Sequence, residues 1–175
     1  MILIAVGSNL SGPAGPPLAQ CEAALERFVD RGIAIVARSR WYETAPVPPS
    51  DQPWFVNGVV AVRTSDEPAG LLAALHDIER SLGRTRTVPN AARTIDLDLL
   101  DYDGLVREGP EPPLLPHPRM HERVFVLRPL LDVAPRWRHP VSGRTGAELL
   151  AALPAGDDIR PLGGQSAREK RFPPV

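Results

Sequence analysis

Apolar residues cluster or alternate in four places that predict strands and recur at helical spacing in two well-defined stretches between them. Residues 2–6 form a short buried-strand pattern, closed by Gly7-Ser8-Asn9. After a Gly/Pro-rich turn over 11–17, Leu18, Cys21, Leu25, Phe28 and Val29 recur at three- and four-residue steps. That spacing predicts a helix ending near Gly32. Residues 33–42 are β-branched and aromatic, a second strand. A proline-rich loop with Pro46, Pro48, Pro49 and Pro53 follows, too long for a hairpin turn and shaped like a binding loop. The third strand, 54–63, sets Phe55, Asn57, Val59 and Ala61 on one face and Val56, Val60 and Val62 on the other.

Ser65-Asp66-Glu67-Pro68 predicts a helix start with a capping side chain. Leu71, Leu75, Ile78 and Leu82 supply its apolar stripe, and Gly83 its stop. The fourth strand covers 94–102. From Leu114 the chain reads as irregular, with a short apolar element over 124–131 and a helix over 145–153. Residues 154–175 are rich in Gly, Pro and charge without periodicity, and a mobile tail with no chemistry is expected there. The order predicts an α+β fold: a ferredoxin-like βαββαβ sheet with helices packed on it and a C-terminal extension. Residues 1–153 are expected to form one domain.

Composition narrows the function classes. The 175 residues carry a formal net charge of −1, which gives no case for bulk nucleic-acid or membrane-surface binding. No apolar run approaches the ~18 residues of a membrane span, and the apolar start lacks the basic flank of a signal peptide. Cys21 is the only cysteine, which excludes an intrachain disulfide and a cysteine zinc site and suits a reducing cytoplasm. Of 20 Lys and Arg residues only Lys170 is lysine. Anions must therefore be held by guanidinium forks or backbone N–H groups, and a Walker-type phosphate loop is excluded.

Chemistry concentrates in Arg93-Thr94-Ile95-Asp96-Leu97-Asp98. On a strand, Asp96 and Asp98 share a face, roughly 6–7 Å apart, and repel unless a cation intervenes. Oxygen-only ligands of this kind suit Mg²⁺ completed by water and phosphate oxygens, although a solvated outer face would look the same. Arg84 and Arg86, just past the Gly83 stop, and Arg93 bring positive charge to the same rim, the combination that phosphoryl transfer needs. A second basic stretch, 117–144, holds six arginines against two acids and begins at Pro116-His117-Pro118. Phe55 and Asn57 share a strand face, an aromatic plane beside an amide, which suits a flat heterocycle; core packing is equally open for Phe55.

These segments together resemble the 6-hydroxymethyl-7,8-dihydropterin pyrophosphokinase family. The resemblance rests on Gly7-Ser8-Asn9-Leu10, Tyr42-Glu43-Thr44, Asp51-Gln52-Pro53 with Phe55 and Asn57, Glu79 with Gly83-Arg84 and Arg86, Arg93 through Asp98, and Pro116-His117 with Arg123 and Phe125. It implies transfer of the β,γ-diphosphate of ATP to the pterin hydroxymethyl group, releasing AMP, in folate biosynthesis. It implies Asp96 and Asp98 as ligands of two Mg²⁺ ions, and Arg84, Arg93, Asp96 and Asp98 as the catalytic set. Arg84, Arg86, Arg93, Leu99, His117 and Arg123 fall at nucleotide positions. Thr44, Ala45, Val47, Phe55, Asn57, Asp96 and Phe125 fall at pterin positions, with Asn9 ordering the loops beside them. A cytoplasmic monomer is implied, with no nucleic-acid or membrane partner, whose product passes to dihydropteroate synthase. The loop over 87–92 lacks the tryptophan that some members carry, Ala92 replaces a common proline and His76 a common glutamine. From the residues alone, a ferredoxin-like RNA-binding module or an inactive regulatory domain are the rivals.

Overall fold

The longest alternating segment becomes the middle of the sheet. This is β4 (Phe55–Arg63), and β1 (Ile2–Ser8) pairs antiparallel along one edge of it, from Ile2↔Val62 to Ser8↔Val56. The computed structural model describes residues 1–85, 91–154 and 158–163. β5 (Asp96–Tyr102) pairs antiparallel with the far edge of β1. Two short strands share the other edge of β4 end to end: β2 (Ala34–Arg38) beside its C-terminal half and β3 (Tyr42–Thr44) beside its N-terminal half. β6 (Ile159–Pro161) closes the order β5-β1-β4-β3-β6. Through β5 this is the split βαβ arrangement read from the sequence.

Both faces of the sheet carry helices. α1 (Pro17–Asp30) and α2 (Pro68–Ser81) bury Leu25, Phe28, Leu71, Leu75 and Ile78 against Ile4, Val6, Val60 and Leu97. On the opposite face Leu3, Val59, Ala61 and Leu100 meet Met120, Val126 and Leu130. The apolar element after the basic stretch is thus a helix, α3 (Val124–Val133), with α4 (Gly146–Ala152) packed against it. α4 starts on a capping box between Thr145 and Glu148.

Three expectations change. The single strand over 33–42 is broken between Arg38 and Tyr42, where Ser39 exchanges bonds with Val59: its N–H donates to the Val59 carbonyl at 2.9 Å and its hydroxyl accepts from the Val59 N–H at 3.0 Å. The Trp41 ring then lies over Gly58, where a Cβ would stand 2.6 Å from it. α2 begins at Pro68 on an extended Glu67, without the expected side-chain cap. Residues 158–163 do not behave as a free tail, since β6 pairs with β3 and the Leu162 N–H donates to the Trp41 carbonyl at 2.8 Å.

The break after β2 is fastened to α3. Arg40 pairs with Asp132 at 2.9 Å, and the Tyr42 hydroxyl donates to the same carboxylate at 2.9 Å. Burial pushes the Asp132 carboxyl up, but these hydrogen bonds outweigh it and hold it below the usual carboxylate range.

Candidate active site

Register across three strands builds the floor of a site. Gly7 of β1 stands between Asn57 of β4 and Asp96 of β5, and one step along Ala5 stands between Val59 and Asp98. β1 therefore contributes nothing larger than a methyl group, which leaves open space between the amide and the carboxylates. A Cβ on Gly7 would lie 2.5 Å from the Asn57 Oδ1, so the glycine makes room for that side chain. Above this floor lies a cavity of about 550 Å³.

One end of the cavity is lined by Thr44, Ala45, Val47, Phe55, Asn57 and Phe125. Asn57 is buried, and its Nδ2 donates to the Thr44 hydroxyl at 2.8 Å, which fixes the amide plane. The other end is lined by Arg84, Arg93, Asp96, Asp98, His117, Arg119 and Arg123. Asn9 joins the two ends. Its Oδ1 accepts from the Arg93 N–H at 2.8 Å, and its Nδ2 donates to the Pro53 carbonyl at 3.1 Å.

The two aspartates differ in their surroundings. Asp96 is held by Arg84 at 2.6 Å through one oxygen and by Arg93 through the other. Among the described residues Asp98 has looser cationic neighbours, Arg123 at 3.6 Å and His117 at 4.0 Å. Burial, then the charge of Asp96, pushes the Asp98 carboxyl up. Burial also lowers the His117 imidazole, against the pull of Asp98. Arg123 lies over the Phe125 ring, 5.4 Å from its centroid, and so bridges the two ends.

Glu79 supports this arrangement from below. It is 2% exposed, pairs with Arg84, and accepts the Leu97 N–H at 2.8 Å. Leu97 lies between the two aspartates on a strand at the sheet edge, so Glu79 satisfies a backbone donor that the sheet leaves over. Glu79→Ala is expected to lower stability by ~1–3 kcal/mol through that orphaned N–H. Glu79→Gln, which keeps an acceptor, should recover part of it, while both variants lose turnover through a loosened Arg84. Equal thermal midpoints for Gln and Ala would sink the backbone role.

Among the described residues no three His, Cys, Asp or Glu side chains come together as a metal cluster. The donor set fits Mg²⁺ none the less, because this ion commonly takes one or two carboxylates and leaves its other positions to water and phosphate oxygens. Burial and the charge of Asp96 both disfavour the ionised Asp98, a cost that a bound cation would relieve.

Leu99, expected at the nucleotide, turns its side chain away from Asp98 into the core beneath α1 and α2, where it is 4% exposed, so its main chain is the part left to meet a nucleotide. Arg86 lies outside the described residues, as do residues 87–90 of the expected closing loop. Arg119 lines the cavity without having been singled out, since nothing in its arginine-rich stretch distinguishes it. A base-stacking RNA surface is not favoured, because α1 and α2 cover one sheet face, α3 covers part of the other, and the floor left open there carries two carboxylates.

The family model described as 7,8-dihydro-6-hydroxymethylpterin-pyrophosphokinase (HPPK) matches residues 3–135. The chain belongs to this family. Its HPPK relatives include a 2-amino-4-hydroxy-6-hydroxymethyldihydropteridine pyrophosphokinase of Pseudomonas aeruginosa, 43% identical over 87% of this chain and 91% of that protein. One of Methylorubrum extorquens is 40% identical over 87% of this chain and 94% of its own length. The folic acid synthesis protein fol1 of Pneumocystis carinii is 37% identical over 92% of this chain, which spans only 21% of that longer protein. The wild-type HPPK-DHPS crystal structure of Plasmodium falciparum shares the fold, with a TM-score of 0.63 at 15% identity over 86% of this chain and 44% of that one. HPPK membership makes the chain a pyrophosphokinase of folate biosynthesis.

Proposed function

We propose that this pyrophosphokinase transfers the β,γ-diphosphate of ATP to the hydroxymethyl group of 6-hydroxymethyl-7,8-dihydropterin, giving the pterin diphosphate and AMP. The observation that carries the reading is the shared floor: Asn57, Gly7 and Asp96 stand in one register, with a heterocycle-sized aromatic end and a cationic end in one cavity. Thr44 presets the amide of Asn57 to read the edge of the ring, while Phe55 and Phe125 flank it. Asp96 and Asp98 would hold Mg²⁺, taken as two ions with ATP, which when bound neutralises triphosphate charge and acidifies the hydroxyl. Arg84 and Arg93, which pair with Asp96, also present their guanidinium forks to the nucleotide phosphates. His117 and Arg123 serve the phosphates from the opposite wall. The arginine forks oppose charge growing on the leaving AMP, and the loops tied through Asn9 exclude water.

Among the described residues no helix is long and apolar enough to cross a membrane. The enzyme is proposed to act in the cytoplasm as a monomer and to pass its product to dihydropteroate synthase; a relative that carries HPPK-DHPS in one chain supports the hand-over. Incubation with ATP, Mg²⁺ and the dihydropterin should release AMP and no ADP, and chelation of the metal should stop it. ADP as the nucleotide product, or full activity in chelator, would refute the reading.

A further inference from the structure

The chain beyond the family-matched region returns to the wall behind the pterin end. β6 pairs with β3 as Tyr42↔Pro161, Glu43↔Arg160 and Thr44↔Ile159. Bonds at either side continue the ladder: the Leu162 N–H donates to the Trp41 carbonyl at 2.8 Å and the Ala45 N–H to the Asp158 carbonyl at 3.0 Å. Bonded and non-bonded pairs alternate in such a ladder. Glu43 and Arg160 are therefore a bonded pair, and Pro161 stands where no N–H is needed.

Arg160 adds a second tie. Its Nε donates to Glu43 at 2.8 Å, and its guanidinium lies over the Trp54 ring, 4.9 Å from the centroid. The segment thus grips both ends of the proline-rich loop, at Glu43–Ala45 and at Trp54. Between those ends the loop is undercut by a second cavity of about 320 Å³, walled by Val47, Trp54, Asp158 and Ile159. At that point β6 and its flanks back the loop from one side, with Val124 and Phe125 of α3 completing the wall.

We propose that β6 is a positioning strap for pterin recognition: by completing the ladder on β3 it keeps Thr44 at bonding distance from Asn57 and holds the loop in the shape that a flat heterocycle fits. This rests on the substrate reading above. The exposed ion pair and ring contact are weak by themselves, so the backbone ladder carries the effect.

Two full-length variants separate these contributions. Arg160→Pro removes a ladder N–H, and Arg160→Ala removes only the side-chain ties. Titration calorimetry with 6-hydroxymethylpterin and with a non-hydrolysable ATP analogue reads each end of the site, and hydrogen exchange reads the amides of Glu43 and Ala45. For Arg160→Pro the pterin Kd should rise roughly fivefold or more and the nucleotide Kd less than about twofold, with faster exchange at those amides. Arg160→Ala should change either Kd by less than about twofold. Faster exchange with unchanged pterin affinity would overturn the strap, as would an equal loss of both ligands or unchanged exchange in Arg160→Pro. Wild-type protein that binds the nucleotide and no pterin would instead overturn the substrate reading, before any variant is made.

Discussion

Asp98→Asn should cut turnover about a thousandfold, the scale of losing one charge-stabilising group, while leaving metal-free protein as stable as wild type or more so. Asp98 is the carboxylate with the poorer environment: among the described residues its nearest cation is Arg123 at 3.6 Å, and burial and Asp96 both push it up. A folded-state carboxyl raised above its unfolded value binds more protons when folded. Its charge therefore costs stability at neutral pH, and that cost fades as pH falls through the raised value. The difference in thermal midpoint, Asp98→Asn minus wild type in chelator, should be zero or positive near pH 7 and shrink towards pH 4. Asp96→Ala should lose turnover as severely but also lose stability, because Arg84 and Arg93 both pair with Asp96. A marked loss of midpoint in Asp98→Asn, or turnover within tenfold of wild type, would show that Asp98 is a structural anchor.

The second large effect is expected at Asn57. Its substitution by Leu keeps the volume beside Gly7 and removes a donor and an acceptor. Leaving such groups unpaired on a bound ring costs ~1–3 kcal/mol each, so pterin affinity should fall at least about tenfold. Asp96 lies two strand spacings away, roughly 10 Å, with only Gly7 between, so nucleotide affinity should change little. Calorimetry with both ligands tests this directly. Equal losses for pterin and nucleotide would mean that the Thr44–Asn57 bond holds the sheet together and reads nothing.

Most of this site was legible in the residues because its framework is periodic. Alternation along β4 and β5 is enough to place Asn57 and the aspartates on faces, and the Gly83 stop puts Arg84 beside the acidic strand. What the sequence hid depends on contacts between distant segments. The break before Tyr42 follows from Trp41 meeting Gly58, a tertiary fit with no local signal. β6 is three residues long with proline among them, too short to show a period. The apolar stretch that becomes α3 carries Pro129 inside it, which obscured its helical character. Glu79 stood out as an acid at a helix end, but its backbone partner on β5 was invisible without the packing. For Leu99 the same alternation already pointed the side chain inward, to the core rather than the cavity.

The central place of β1 has a kinetic meaning. Gly7 joins partners at Asn57 and Asp96, one some fifty positions along the chain and the other nearly ninety. Closing such wide loops is entropically costly before any contact rewards it, which slows folding relative to helical proteins of similar size. During synthesis β1 can dock on β4 well before Asp96 has been made, giving a partial sheet whose β1 edge is still open. The amide end of the floor then exists without the acidic end. Catalytic capacity can therefore arise only with the late docking of β5, so a refolding trace followed by activity should never run ahead of one followed by sheet formation.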